Sequence, residues 1–222
     1  MMLRRLFAVI ALAALPTVAA AQTCLGNPSF ASGPLNVTVG AAADGNGYGL
    51  GLGSTVGWWG GKLITGASVG WDSYRSPERT SQGGSITIGT QRLTEDILEF
   101  CPFATAGIDR GTEFTRLNGD VFKPSVDEYG VGVGFGAQLA PERYISIVPY
   151  GIIRLTTYTA FLQGLGTTED ITERDTGGVF TFGLGFRFDE WLQLSPTVTV
   201  SSFEGADLVI GLRGAMALQI KR

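Results

Sequence analysis

Few residues in this chain have side chains suited to chemistry, and their spacing limits what that chemistry is. There are two cysteines, Cys24 and Cys101, and no histidine. A zinc site would need more ligands than these, so the pair reads as one disulfide formed outside the reducing cytoplasm. Such a bridge closes a loop of about 77 residues and stabilises by roughly 3–5 kcal/mol in the chain-entropy model, less if strained. The carboxylates Asp72, Glu99 and Asp109 have the chemistry of general bases. The strand register described below puts them on the same face as Lys62, Arg154, Arg187 and Arg213, so ion pairing across a narrow interior is the expected use.

Other motifs carry less. The Gly-x-Gly-x-Gly runs at 47–53 and 130–136 lack the helix that a phosphate-cradling loop must lead into, so they read as a strand face kept small. Glu169, Asp170, Glu173 and Asp175 supply oxygen ligands but not the spacing of a calcium loop, and read as a solvated loop. Asn36-Val37-Thr38 fits a glycosylation pattern but lies within a predicted spanning strand. No catalytic residue, cofactor or metal site is expected.

The elements that position these residues begin after an export signal. Arg4 and Arg5 precede an apolar stretch from Leu6 to Leu15, Pro16 and the run Ala19-Ala20-Ala21, which predicts cleavage after Ala21. No small-residue lipidation box precedes Cys24. Cleavage removes two arginines and no acid, leaving a chain more acidic than the net −4 of all 222 residues, which disfavours a nucleic-acid partner. No Pro- or Ser-rich linker divides the rest, so residues 22–34 read as a periplasmic segment and residues 35–222 as one domain.

Beyond the signal no run of about 18 apolar residues occurs, yet mean hydropathy is +0.20. The apolar residues recur with period two instead, the mark of strands whose faces see different surroundings. From Val179 to Asp189, Phe180, Phe182, Leu184, Phe186 and Phe188 oppose Thr181, Gly183, Gly185, Arg187 and Asp189. Tyr129 to Leu139, Leu192 to Ser201 and Leu208 to Ile220 repeat the division. Leu35 to Ala43, Gly47 to Trp58, Lys62 to Trp71 and Tyr144 to Tyr158 follow it more loosely, and Ser85 to Leu93 and Ile97 to Ile108 complete ten strands. Without the last two the count is eight.

Both termini of an outer-membrane barrel are periplasmic, with short turns there and longer loops outside. Ten strands fit: Trp59-Gly60-Gly61, Thr94-Glu95-Asp96, Ala140 to Arg143 and Asp189-Glu190 become periplasmic turns. Ser73 to Gly84, Arg110 to Asp127 and Thr159 to Asp175 become outer loops, while two outer connections, near Asp44 and near Phe203, are short. Two aromatic girdles are expected. Trp58, Trp59, Tyr144 and Trp191 flank the turns, and Trp71, Tyr129 and Tyr158 sit at the loop ends.

With its signal peptide, alternating strands, sided loops and final strand, the mature chain resembles the small outer-membrane β-barrel superfamily of the OmpA membrane domain, OmpX and OmpW. The resemblance implies an all-β, closed antiparallel transmembrane up-and-down barrel, inserted by the outer-membrane assembly machinery and bathed in outer-membrane lipid. The function expected is a non-catalytic structural or surface-interaction role, with an unidentified surface ligand, or a narrow passive pore. The alternative is a soluble periplasmic, lipocalin-like barrel holding an apolar ligand; it requires the large apolar side chains to face inward.

Overall fold

An extended chain leaves its backbone N–H and C=O groups without partners inside its own segment, so strands in an apolar medium must pair laterally until no edge is left. In the computed structural model they do. It describes residues 35–59, 63–75, 78–94, 98–115, 119–137, 139, 144–165, 170–188, 192–203 and 207–218. Ten long strands follow one another: β1 (Leu35–Ala43), β2 (Gly47–Trp58), β3 (Leu63–Arg75), β4 (Glu78–Thr90), β5 (Leu98–Gly111), β6 (Val121–Ala137), β7 (Ile145–Leu165), β8 (Ile171–Phe188), β9 (Leu192–Ser201) and β10 (Val209–Leu218). Each pairs antiparallel with its neighbours in sequence. The cylinder closes where β1 meets β10, from Leu35 opposite Leu218 to Ala43 opposite Ile210. Short strands at Arg92–Thr94 and Phe114–Thr115 pair onto β5 and β6 within two of the connections.

The architecture is thus the expected all-β, closed antiparallel up-and-down barrel, and its strand number is ten rather than eight. β4 and β5, which cover the two weakest sequence patterns, are full members: Ser81 to Gly89 pair with β5, and Leu98 to Arg110 pair with β6. No helix among the described residues is long and apolar enough to cross a membrane.

The direction of the side chains decides between the two kinds of barrel. Val69 (61% exposed), Ile86 (65%), Val131 (58%) and Phe182 (54%) all point outward. Inward positions carry Asn36, Thr38, Glu99, Thr156, Arg187, Gln193 and Ser195, all buried. A continuous apolar belt of this extent is a lipid-facing surface, and the arrangement is the reverse of what a soluble carrier of apolar ligands needs. Ten steps of a strand rising about 3.3 Å per residue and tilted about 40° cover about 25 Å, the height of such a belt. β8 supplies those steps between Gly178 and Phe188.

The expected outer loops are corrected. Pairing runs through Arg75 opposite Glu78, so the predicted loop from Ser73 to Gly84 is mostly strand. Asp175 to Ile171 pair with Tyr158 to Leu162, and Val121 pairs with Leu165, so β6, β7 and β8 continue well beyond the belt. The reason is the solvent. Above the lipid both faces of a hairpin meet water, so the alternation that marks a spanning strand disappears while the backbone still pairs. Threonine, at 157, 159, 172 and 176, favours that extended state.

Candidate functional site in the barrel lumen

The upper edge of the belt is visible residue by residue on β6. Its outward positions read Phe135, Val133, Val131 and then Tyr129, Asp127 and Ser125, passing from apolar to polar at the tyrosine. At the same level Arg110 of β5 meets Asp127 at 3.2 Å, and the hydroxyls of Thr157 and Thr176 lie 2.9 Å apart. Tyr48 and Trp71 pack edge to face, with ring centroids 5.6 Å apart, on the same outer side. At the other end Trp58, Trp59 and Tyr144 (87% exposed) point out, and Trp58 Nε1 donates to Thr65 Oγ1 at 2.8 Å. Trp191 lies outside the described residues.

Tyr158 is not an interface aromatic. Even positions of β7 face inward, as buried Val148, Tyr150 and Thr156 show, and a period of two carries that assignment to Tyr158. It lines the lumen, with its ring 4.8 Å from that of Phe203.

The lumen falls into two parts. At the end that carries Leu35 and Leu218 it is packed solid: Asn36, Glu99, Cys101, Val148 and Gln193 have no exposed surface, and Ile64, Ser146 and Arg187 are nearly as buried. Those residues come from β1, β3, β5, β7, β8 and β9, strands spread around the circumference. Toward the other end opens a cavity of about 1010 Å³, lined by Thr38, Asp72, Asp109, Glu128, Tyr150 and Arg213 among others, with a smaller recess of about 280 Å³ reaching Arg154.

Inward glycines make this packing possible. The Tyr150 ring lies directly against Gly183, and Gln193 Nε2 would stand 2.6 Å from a Cβ at Gly185. Both contacts need a neighbour without a side chain. The glycine-rich face was expected to admit a close neighbour, and here the neighbours are the long side chains of adjacent strands.

Of the predicted lumen charges, Glu99 and Arg187 are inward and buried, Asp72, Arg154 and Arg213 line the open part, and Lys62 lies outside the described residues. The expected pairing differs in one respect. Arg154 Nη1 meets Glu128 Oε1 at 2.7 Å, an acid that lies outside the alternating pattern, which marks β6 only from Tyr129. Asp72 and Asp109 enter no ion pair among the described residues; Asp109 accepts from Ser81 Oγ at 3.1 Å. Cys101 is fully buried in the packed end, and Cys24 lies outside the described residues. Of the acidic loop cluster, Asp170 accepts from the Gly164 amide at 2.9 Å; no group of three metal-ligating side chains occurs among the described residues.

No protein-family profile and no curated protein matches the chain. Solved structures do. The β domain of the Bordetella autotransporter BrkA aligns with a TM-score of 0.51 at 15% identity, over 86% of this chain and 85% of that one. The translocator domain of the autotransporter NalP from Neisseria meningitidis gives 0.48 at 15% identity over 98% and 93%. Ail, the attachment invasion locus protein of Yersinia pestis, gives 0.41 at 14% over 83% and 97%. With its closed cylinder, apolar exterior and polar interior, the chain has the fold of the small outer-membrane β-barrels.

Proposed function

We propose that this chain is exported by a signal peptide cleaved after Ala21 and resides in the outer membrane. There it acts as a non-catalytic structural or surface-interaction barrel whose lumen is a vestibule open to the outside and blind toward the periplasm. The observation that carries the reading is the packed layer at the end bearing both strand termini, the periplasmic end by the topology of such barrels. A through-pore needs a continuous water path, and Glu99, Arg187 and Gln193 fill that level with buried side chains.

The polar hairpins that stand beyond the belt support a surface role, since β8 carries Glu173 and Arg174 exposed there. Reconstitution of the mature protein into planar bilayers tests the vestibule: no stable conductance steps are expected. Steady ohmic steps from the unmodified protein would instead make it a narrow passive pore.

A further inference from the structure

The strands that rise past the belt sort their charges by sign. Tyr129 marks the upper edge of the apolar face, and the ladders carry its level to Ala106 of β5, Thr157 of β7 and Thr176 of β8. Among the described residues of β5 to β8 beyond that level, Asp109, Glu128, Glu173 and Asp175 hold inward positions. Arg110, Lys123 and Arg174 hold outward ones, with Asp127 the one acid among them. That acid is already engaged by Arg110 at 3.2 Å, whereas exposed Lys123 and Arg174 enter no ion pair among the described residues. Water alone does not demand such sorting, since mixing the signs on each face would let cross-strand neighbours pair.

The depth of the outward cations is a second, independent observation. Arg174 is level with Thr159 and Asp127, two residues beyond Tyr129. At about 3.3 Å per residue and a tilt of about 40°, that is about 5 Å above the apolar edge. The headgroup layer on each side of a bilayer is about 5–8 Å thick, so the guanidinium stands within it. Lys123 stands four residues higher on the same face, about 10 Å further out, where its charge still acts within a Debye length of the headgroups. Between the two levels lies Phe161, in line with Ser125 and Thr172 and 38% exposed. An outward ring among hydroxyls offers apolar surface to the C–H face of a sugar.

We propose that the outward face of β5 to β8 above the belt is a docking surface for a phosphorylated glycolipid of the surrounding leaflet. A headgroup phosphate sits on Arg174, whose planar fork suits it, the sugar lies over Phe161, and Lys123 adds attraction from above. The acids on the inward positions are turned away from the headgroups. The inference rests on the outer-membrane reading of the chain. Native mass spectrometry of the folded mature protein, released from detergent micelles carrying bisphosphorylated lipid A, tests it, with lipid A of the same acyl chains but no phosphate as the control. A saturable adduct of the phosphorylated lipid is expected, weakened about tenfold or more in Lys123→Gln/Arg174→Gln and unchanged in Glu173→Gln, on the inner face of the same strand.

Equal binding of the two lipids, full affinity in the double variant, or an equal loss in Glu173→Gln each overturns the proposal. If the double variant does not fold, Lys123→Gln and Arg174→Gln are read singly, and unchanged affinity in both has the same meaning. Membrane fractionation of the same variants is read beside it. Recovery in the outer membrane with unaltered lipid binding keeps the location and removes the docking surface, whereas a soluble product removes the membrane reading itself.

Discussion

Arg154 reaches Glu128 by laying its stem across Gly130. The two charged residues are not opposite each other in the β6–β7 ladder: Arg154 faces Gly132 and Glu128 faces Tyr158. Yet their side chains meet at 2.7 Å, because the Arg154 Cδ passes 3.1 Å from where a Cβ at Gly130 would stand. Gly130→Leu therefore blocks the route while keeping both charges. It is expected to destabilise the barrel by about 1–2 kcal/mol, as is Glu128→Gln, and the double variant by less than the sum. Urea unfolding in lipid vesicles, followed by tryptophan fluorescence, reads this; strict additivity would mean that the glycine and the ion pair are independent.

A charge placed on the outer face should be far worse than one inside. Phe182 lies midway down the apolar part of β8 and points out, while its neighbour Thr181 lines the cavity. Phe182→Arg is expected to cost about 2–4 kcal/mol in a bilayer, and Thr181→Lys no more than about 1 kcal/mol. The folded fraction after refolding into vesicles measures both. Equal penalties would mean that the belt does not face lipid.

Expression with the native signal should place the protein in the outer-membrane fraction, with a mass that begins at Gln22 and a band whose gel mobility changes on boiling. A soluble periplasmic product of unchanged mobility would contradict both the location and the membrane-spanning barrel.

We further propose that Cys101, sealed in the packed periplasmic end, is bridged to Cys24, which ties residues 22–34 across that mouth. Mass spectrometry of the mature protein under non-reducing conditions should find no reactive thiol, and reduction should cost roughly 3 kcal/mol of stability. Two alkylated cysteines without reductant would remove the bridge.

The belt was legible in the sequence because lipid and lumen impose opposite demands on alternate residues. Phe180 to Phe188 and Tyr129 to Ala137 could be read without a structure, and even the faint anchors Ile86 and Ile88 marked a real strand. Legibility ended where lipid ended. Beyond Tyr129 the outward positions Asp127 and Ser125 are polar, so the alternation that marks β6 stops there and Glu128, the partner of Arg154, falls outside it. Tyr158 was misplaced for the same reason: its residue type suggested an interface, whereas counting by twos from Arg154 along an uninterrupted strand puts it inside. How the charges pair was not legible at all, since it depends on diagonal reach over glycines rather than on sequence separation.

The hairpin of β7 and β8 has a consequence for how this protein can change over generations. Beyond the belt β8 pairs with β7 from Thr159 opposite Arg174 to Leu162 opposite Ile171, and its Glu173 and Arg174 are exposed. Backbone pairing is indifferent to most side chains, so this stretch can exchange Glu173 or Arg174 for almost any strand-tolerant residue at little cost to folding. The stretch that stands furthest from the apolar belt is thereby the one whose sequence the fold constrains least.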